Sequence, residues 1–189
     1  MILPFITVYT KGITDVNYYR PTFAMLIILA ELFWSIRLPY SSITLAAGHF
    51  KETRKGAWVE VFTNLIISII LVFKFGMIGV AIGTLVAMFI RTIEFIYHTS
   101  RYILNRKIWD SIKRILLLFL EVFLVVPIGI YICGKFYINE YSSWIVGAII
   151  VTAIVTAIVL FINILIYKSD VKEVLNIIKK NFIKKGENK

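Results

Sequence analysis

An all-α bundle of membrane-crossing helices is the fold this chain predicts, and three observations predict it. Apolar residues make up 59% of the 189 residues, and the mean hydropathy is +0.84, far above an ordinary soluble domain. The apolar residues gather in five runs, near 22–47, 57–73, 77–97, 115–133 and 144–167. Each approaches the ~20 residues of helix that cross a ~30 Å hydrocarbon core. The basic residues fall between these runs, so the net charge of +10 reads as membrane topology and not as a nucleic-acid surface. Two regions follow: residues 1–167 as a transmembrane bundle and 168–189 as a basic tail.

The opening MILPFITVYTK has no basic leader and too short an apolar run for a signal peptide, and reads as the last turns of a helix. KGITDVNYYRP then suits a membrane–water interface, where tyrosines such as Tyr18 and Tyr19 concentrate. Pro21 starts the first span, which is interrupted by Glu31, Arg37 and Pro39. GHFKETRKG, Gly48 to Gly56, reads as a short basic loop. From Asn64 to Ala87 two apolar runs are separated only by FKFG, too little for a soluble excursion, so spans two and three form a tight hairpin. Gly79, Gly83 and Ala87 recur every four residues on the third span, a small-residue track that admits close approach of a neighbouring helix.

A second basic connection covers Ser100 to Arg114. The fourth span carries Glu121 and Pro127, and Trp144 and Tyr167 bracket the fifth as an aromatic belt would. In the tail, Val171, Val174, Leu175, Ile178 and Phe182 share one helical face among lysines, the pattern of an amphipathic helix on an anionic leaflet, or of a solvated tail that enforces topology. Fifteen of the 21 Lys and Arg lie on one side of the spans and four on the other, with Arg37 and Arg91 inside. The positive-inside rule puts the richer side, and the C-terminus, in the cytoplasm.

Ionisable groups within spans cost roughly 2.5–3.5 kcal/mol at mid-membrane on insertion scales, so each needs a reason. Arg37, two residues before Pro39, is a candidate lining for a cavity that admits anionic groups, because the proline ring frees the carbonyl of Ser35. The plain alternative is that Arg37 and Glu31 snorkel to opposite interfaces. Glu31 and Asn64 are further cavity candidates. Arg91 and Glu94, three apart, are spaced to pair. Glu60 is shallow enough to meet Arg54 or Lys55. Glu121, without a local partner, is a candidate for ion coupling. His49 and His98 lie in separate connections with no ligand at metal spacing, and read as polar edge residues. The single Cys133 permits no internal disulfide. No Ser/His/Asp or Cys/His arrangement, Gly-rich phosphate loop or metal cluster occurs, so neither an enzyme nor a cofactor or metal is expected.

The segments LPFITVYTKGITDVNYYRP, LPYSSITLAAGHFKETRKGAWVEVFTNLIISIILV and FGMIGVAIGTLVA resemble the C-terminal part of the polysaccharide-biosynthesis flippases. These are the Wzx-like members of the multidrug/oligosaccharidyl-lipid/polysaccharide exporter superfamily. The resemblance covers about Leu3 to Tyr102; the last two spans match in topology and composition. It implies part of the second of two helical bundles, related by pseudo-two-fold symmetry, that move lipid-linked oligosaccharides outward by alternating access. The family cavity is lined by cations, and Arg37 is the position best placed to resemble one. Members have about twelve to fourteen spans, so the resemblance implies a partial chain, in the cytoplasmic membrane of a bacterium or archaeon, that needs a missing N-terminal half or another membrane subunit. Membrane lipid and the lipid-linked saccharide are then its partners. Two other readings stay open: a cation-coupled drug exporter of the same superfamily, and a non-transporting subunit that assembles through the Gly79/Gly83/Ala87 face.

Overall fold

The computed structural model describes residues 1–136, 138, 140–168, 172 and 176. Among them the chain is all helical: α1 Ile2–Tyr9, α2 Pro21–Ala46, α3 Phe50–Phe75, α4 Met77–His98, a π-helical turn at Thr99–Ile103, α5 Ile108–Gly134 and α6 Tyr141–Ile166. α2 to α6 are each long and apolar enough to cross a membrane. Their outer surfaces carry large bare side chains such as Phe73, Phe123 and Ile130. Apolar surface on that scale is at home in lipid, not in water. The chain is a membrane protein. The tail face predicted from Val171 to Phe182 lies outside the described residues.

Two boundaries differ from the sequence reading. The basic loop shrinks to Ala47–His49 because Lys51, Glu52, Arg54 and Lys55 join the first turns of α3. These are good helix formers without a breaker among them, so polarity ends the membrane span but not the helix. Likewise α4 passes into the π turn, and α5 begins at Ile108, within the expected connection. The α3–α4 hairpin turns on Gly76 alone, at φ +56° and ψ −134°, a conformation that a side chain would disfavour.

The chain divides into two compact units, one of residues 2–119 and one of the described residues from 120 onward with Met1. In the first, α4 is the middle helix, with α2 and α3 on its flanks. Gly79 and Gly83 press directly on α3: a Cβ at Gly79 would collide with the Leu71 backbone, and one at Gly83 with Ser68. Ala87 is buried as well. The small-residue track is therefore the internal seam of the hairpin.

α2 and α4 run parallel and are laced at matched heptad spacing. Thr92 Oγ1 donates to the Phe33 carbonyl at 3.0 Å, and Thr99 Oγ1 to the Tyr40 carbonyl at 3.1 Å. Thr44 and Thr99 share a hydrogen bond of 2.9 Å, fully buried. Ile36, Tyr40, Phe95 and Ile96 form the apolar core beside them, flanked by Ile115 and Leu118 of α5.

In the second unit, Asn163 of α6 donates to Glu121 at 2.9 Å. A Glu140/Ser143 capping box starts α6, and the Trp144 indole donates to the Met1 carbonyl at 3.1 Å.

Candidate functional site

The unit of α2, α3 and α4 buries a cluster of four charges. Arg37 lies nine residues before the end of α2 and Glu60 ten after the start of α3, so a short antiparallel connection brings them to one depth. Arg91 enters from α4. Arg37 Nη1 donates to Glu60 Oε1 at 2.9 Å, and Arg91 Nε lies 3.4 Å from Glu60 Oε2. Arg91 Nη1 also reaches Glu94 Oε2 at 2.6 Å and the Thr53 carbonyl at 2.9 Å. One carboxylate thus bridges two guanidiniums, and Glu94 balances the second. A Cβ at Gly56 would fall on the Glu94 carboxylate, so this position makes room for it.

Aromatic rings close the cluster. The Arg37 guanidinium sits 4.4 Å from the Trp34 ring centre, and that of Arg91 4.4 Å from the Phe95 ring centre. The arginine side chains are 7% and 8% exposed, against 23% for Glu60 and 31% for Glu94. With the cations buried and their donors directed at carboxylates, the arrangement ties three spans together and leaves little of either guanidinium to a ligand.

The predicted site residues thus separate into three groups. Arg37, Arg91 and Glu94 come together, but through Glu60, which the sequence reading had directed to Arg54 or Lys55. Arg37 does not stay beside the freed carbonyl of Ser35, because positions two apart on a helix point about 200° from each other; Ser35 is exposed and Arg37 buried. Asn64 accepts from Ser68 of its own helix at 3.0 Å, behind the Gly83 contact. Glu121, nearly buried, takes Asn163 as partner.

Glu31 stands apart. It lies in the apolar part of α2, exposed, on the face opposite the buried row of Ala30, Arg37, Tyr40 and Thr44, and no hydrogen bond or ion pair engages it among the described residues. Ser35 and Ser42 continue that face at helical spacing, and both are exposed.

Sequence reasoning missed two meetings. Glu60 as the hub was hidden by a loop read as running to Gly56; with α3 starting at Phe50, residues 37 and 60 stand at nearly equal distances from the α2–α3 connection. The second joins the predicted edge residues: His49 Nδ1 and His98 Nε2 lie 3.1 Å apart. Nothing local foretells it, since the two belong to different connections. No group of three or more metal-ligating side chains occurs among the described residues.

No protein-family model matches the chain, nor does any curated protein or solved structure.

Proposed function

We propose that this chain is a membrane-embedded part of a flippase that translocates lipid-linked oligosaccharide units across the cytoplasmic membrane for polysaccharide biosynthesis. The observation that carries a transport role is the carboxylate of Glu31, without a partner among the described residues, with Ser35 and Ser42 on the outer face of a membrane-spanning helix. A bare carboxylate within a membrane span is costly in lipid, which favours a water-filled path or a polar partner helix along this face. The saccharide-lipid substrate rests on the resemblance of residues 3–102, which fall on α1 to α4 and the π turn.

On this reading the five spans act with further helices from another subunit or from additional sequence. Glu31 faces the path, while Arg37 holds the path-lining helix in place. The lysine- and arginine-rich connections and the C-terminus face the cytoplasm, following the charge asymmetry.

Deleting the gene in its own cell tests the reading. Surface polysaccharide should fall, and lipid-linked repeat units should accumulate on the inner leaflet. The wild-type gene should restore export, and Glu31→Ala, at equal membrane abundance, should restore at least about tenfold less, the effect of about 1.4 kcal/mol. Unchanged polysaccharide and an unchanged lipid-linked pool would sink the proposal.

A further inference from the structure

The paired histidines form a cluster that the transport reading does not use. His49 caps the start of α3, and His98 ends α4 where the chain enters the π turn. Their facing nitrogens are 3.1 Å apart, with ring centres at 5.3 Å and planes at 67°. Both rings are half-buried, and the Tyr102 ring lies 5.2 Å from that of His98.

The pair is held from both sides by one buried contact. The Thr44 carbonyl accepts the His49 backbone N–H at 3.1 Å, while its hydroxyl bonds Thr99, the residue after His98. Thr99 is anchored in turn to the Tyr40 carbonyl. The backbones that carry the imidazoles are therefore set by groups without exposure to water, and the π turn begins at the residue after His98. Such π-helical insertions recur at functional sites.

Two neutral imidazoles this close share one proton on the line between them. The same spacing fits two ligands of one metal ion. With metal–nitrogen bonds of about 2.0–2.1 Å, two imidazole nitrogens lie about 2.9 Å apart at a right angle and about 3.4 Å apart in a tetrahedron. From the geometry we infer that His49 and His98 form a two-imidazole site for a borderline divalent cation of the zinc, nickel or copper kind, at the end of the helix bundle.

Coordination would use His49 Nδ1 and His98 Nε2, with the ring protons on His49 Nε2 and His98 Nδ1. Only a tautomer change is needed, so no net proton leaves a neutral pair. Water completes the coordination, since no third His, Cys, Asp or Glu joins the pair among the described residues. Imidazole favours these ions over magnesium or calcium, which select oxygen. A bound ion would lock the start of α3 to the end of α4, at the side of the bundle that the charge asymmetry assigns to the cytoplasm.

The test is calorimetric titration of the purified full chain, without a polyhistidine tag, in detergent micelles with zinc chloride and separately with magnesium chloride. One zinc ion should bind per chain, magnesium should not, and His49→Ala and His98→Ala should each weaken zinc binding at least about tenfold. Zinc-edge X-ray absorption of the wild type should show two imidazole nitrogens in the first shell. His49→Gln and His98→Gln, which keep a polar side chain at the helix ends, replace any alanine variant that loses its helical circular dichroism. Absence of saturable zinc binding by the wild type, or binding unchanged in the single variants, overturns the site.

Discussion

At the scale of single residues, Glu60 has the largest structural consequence. It is the carboxylate between two buried arginines from different helices, so its removal leaves both without their shared counter-ion. Breaking a buried ion pair from one side typically costs about 3–5 kcal/mol. Glu60→Ala is therefore expected to lower stability by about that amount, read as the shift in the denaturation midpoint of the chain in micelles. Glu94→Gln should cost distinctly less, since Glu94 is the more exposed carboxylate and Arg91 keeps Glu60 and the Thr53 carbonyl. Equal losses in the two variants would show that Glu60 is not the hub. Of these four charges, only the Arg91–Glu94 spacing was legible locally, because i and i+3 on one helix are neighbours whatever surrounds them.

Between elements, the contacts that matter are steric and short. α3 and α4 approach closely because Gly79 and Gly83 present no side chain to Leu71 and Ser68. Gly83→Ile should force the helices apart and cost about 1–3 kcal/mol, the usual range for overpacking. The same midpoint measurement checks it; an unaffected midpoint would mean that the seam is looser than described. At the α5–α6 contact, the Asn163–Glu121 hydrogen bond joins two membrane-spanning helices. Such bonds average about 0.6 kcal/mol, so Asn163→Leu should lower stability only slightly, well short of the effect of Glu60→Ala. The track of small residues was plain in the sequence, and so was its meaning of close packing. Its partner was not. The seam faces α3 of the same chain, so the surface that a separate subunit was expected to use is already filled.

For the whole molecule, the charge asymmetry makes orientation testable. In a Cys133→Ala background, single cysteines at Asp15 or Lys74 should react with a membrane-impermeant thiol reagent from outside the cell. Cysteines at Glu52 or Lys107 should react only after the cells are opened. The reverse pattern would invert the chain and place the histidine pair on the outer side. The sequence reading of the spans carried through to five long apolar helices, while their ends moved. Lys51 to Lys55 and Ile108 to Arg114 are helical although polar. Hydropathy reports where a helix leaves lipid, and it says nothing of where the hydrogen-bond ladder stops.

Fold class, the number of spans and the tight α3–α4 turn follow from amino-acid order alone, because each depends on the local content of about 20 residues or on one glycine. Whether Arg37 lines a cavity or clasps a neighbour, and whether His49 meets His98, depends on the depth and azimuth of side chains on separate helices. Those are set only when α2, α3 and α4 pack. Packing turned Arg37 inward to Glu60, left Glu31 outside and brought two distant imidazoles within 3.1 Å.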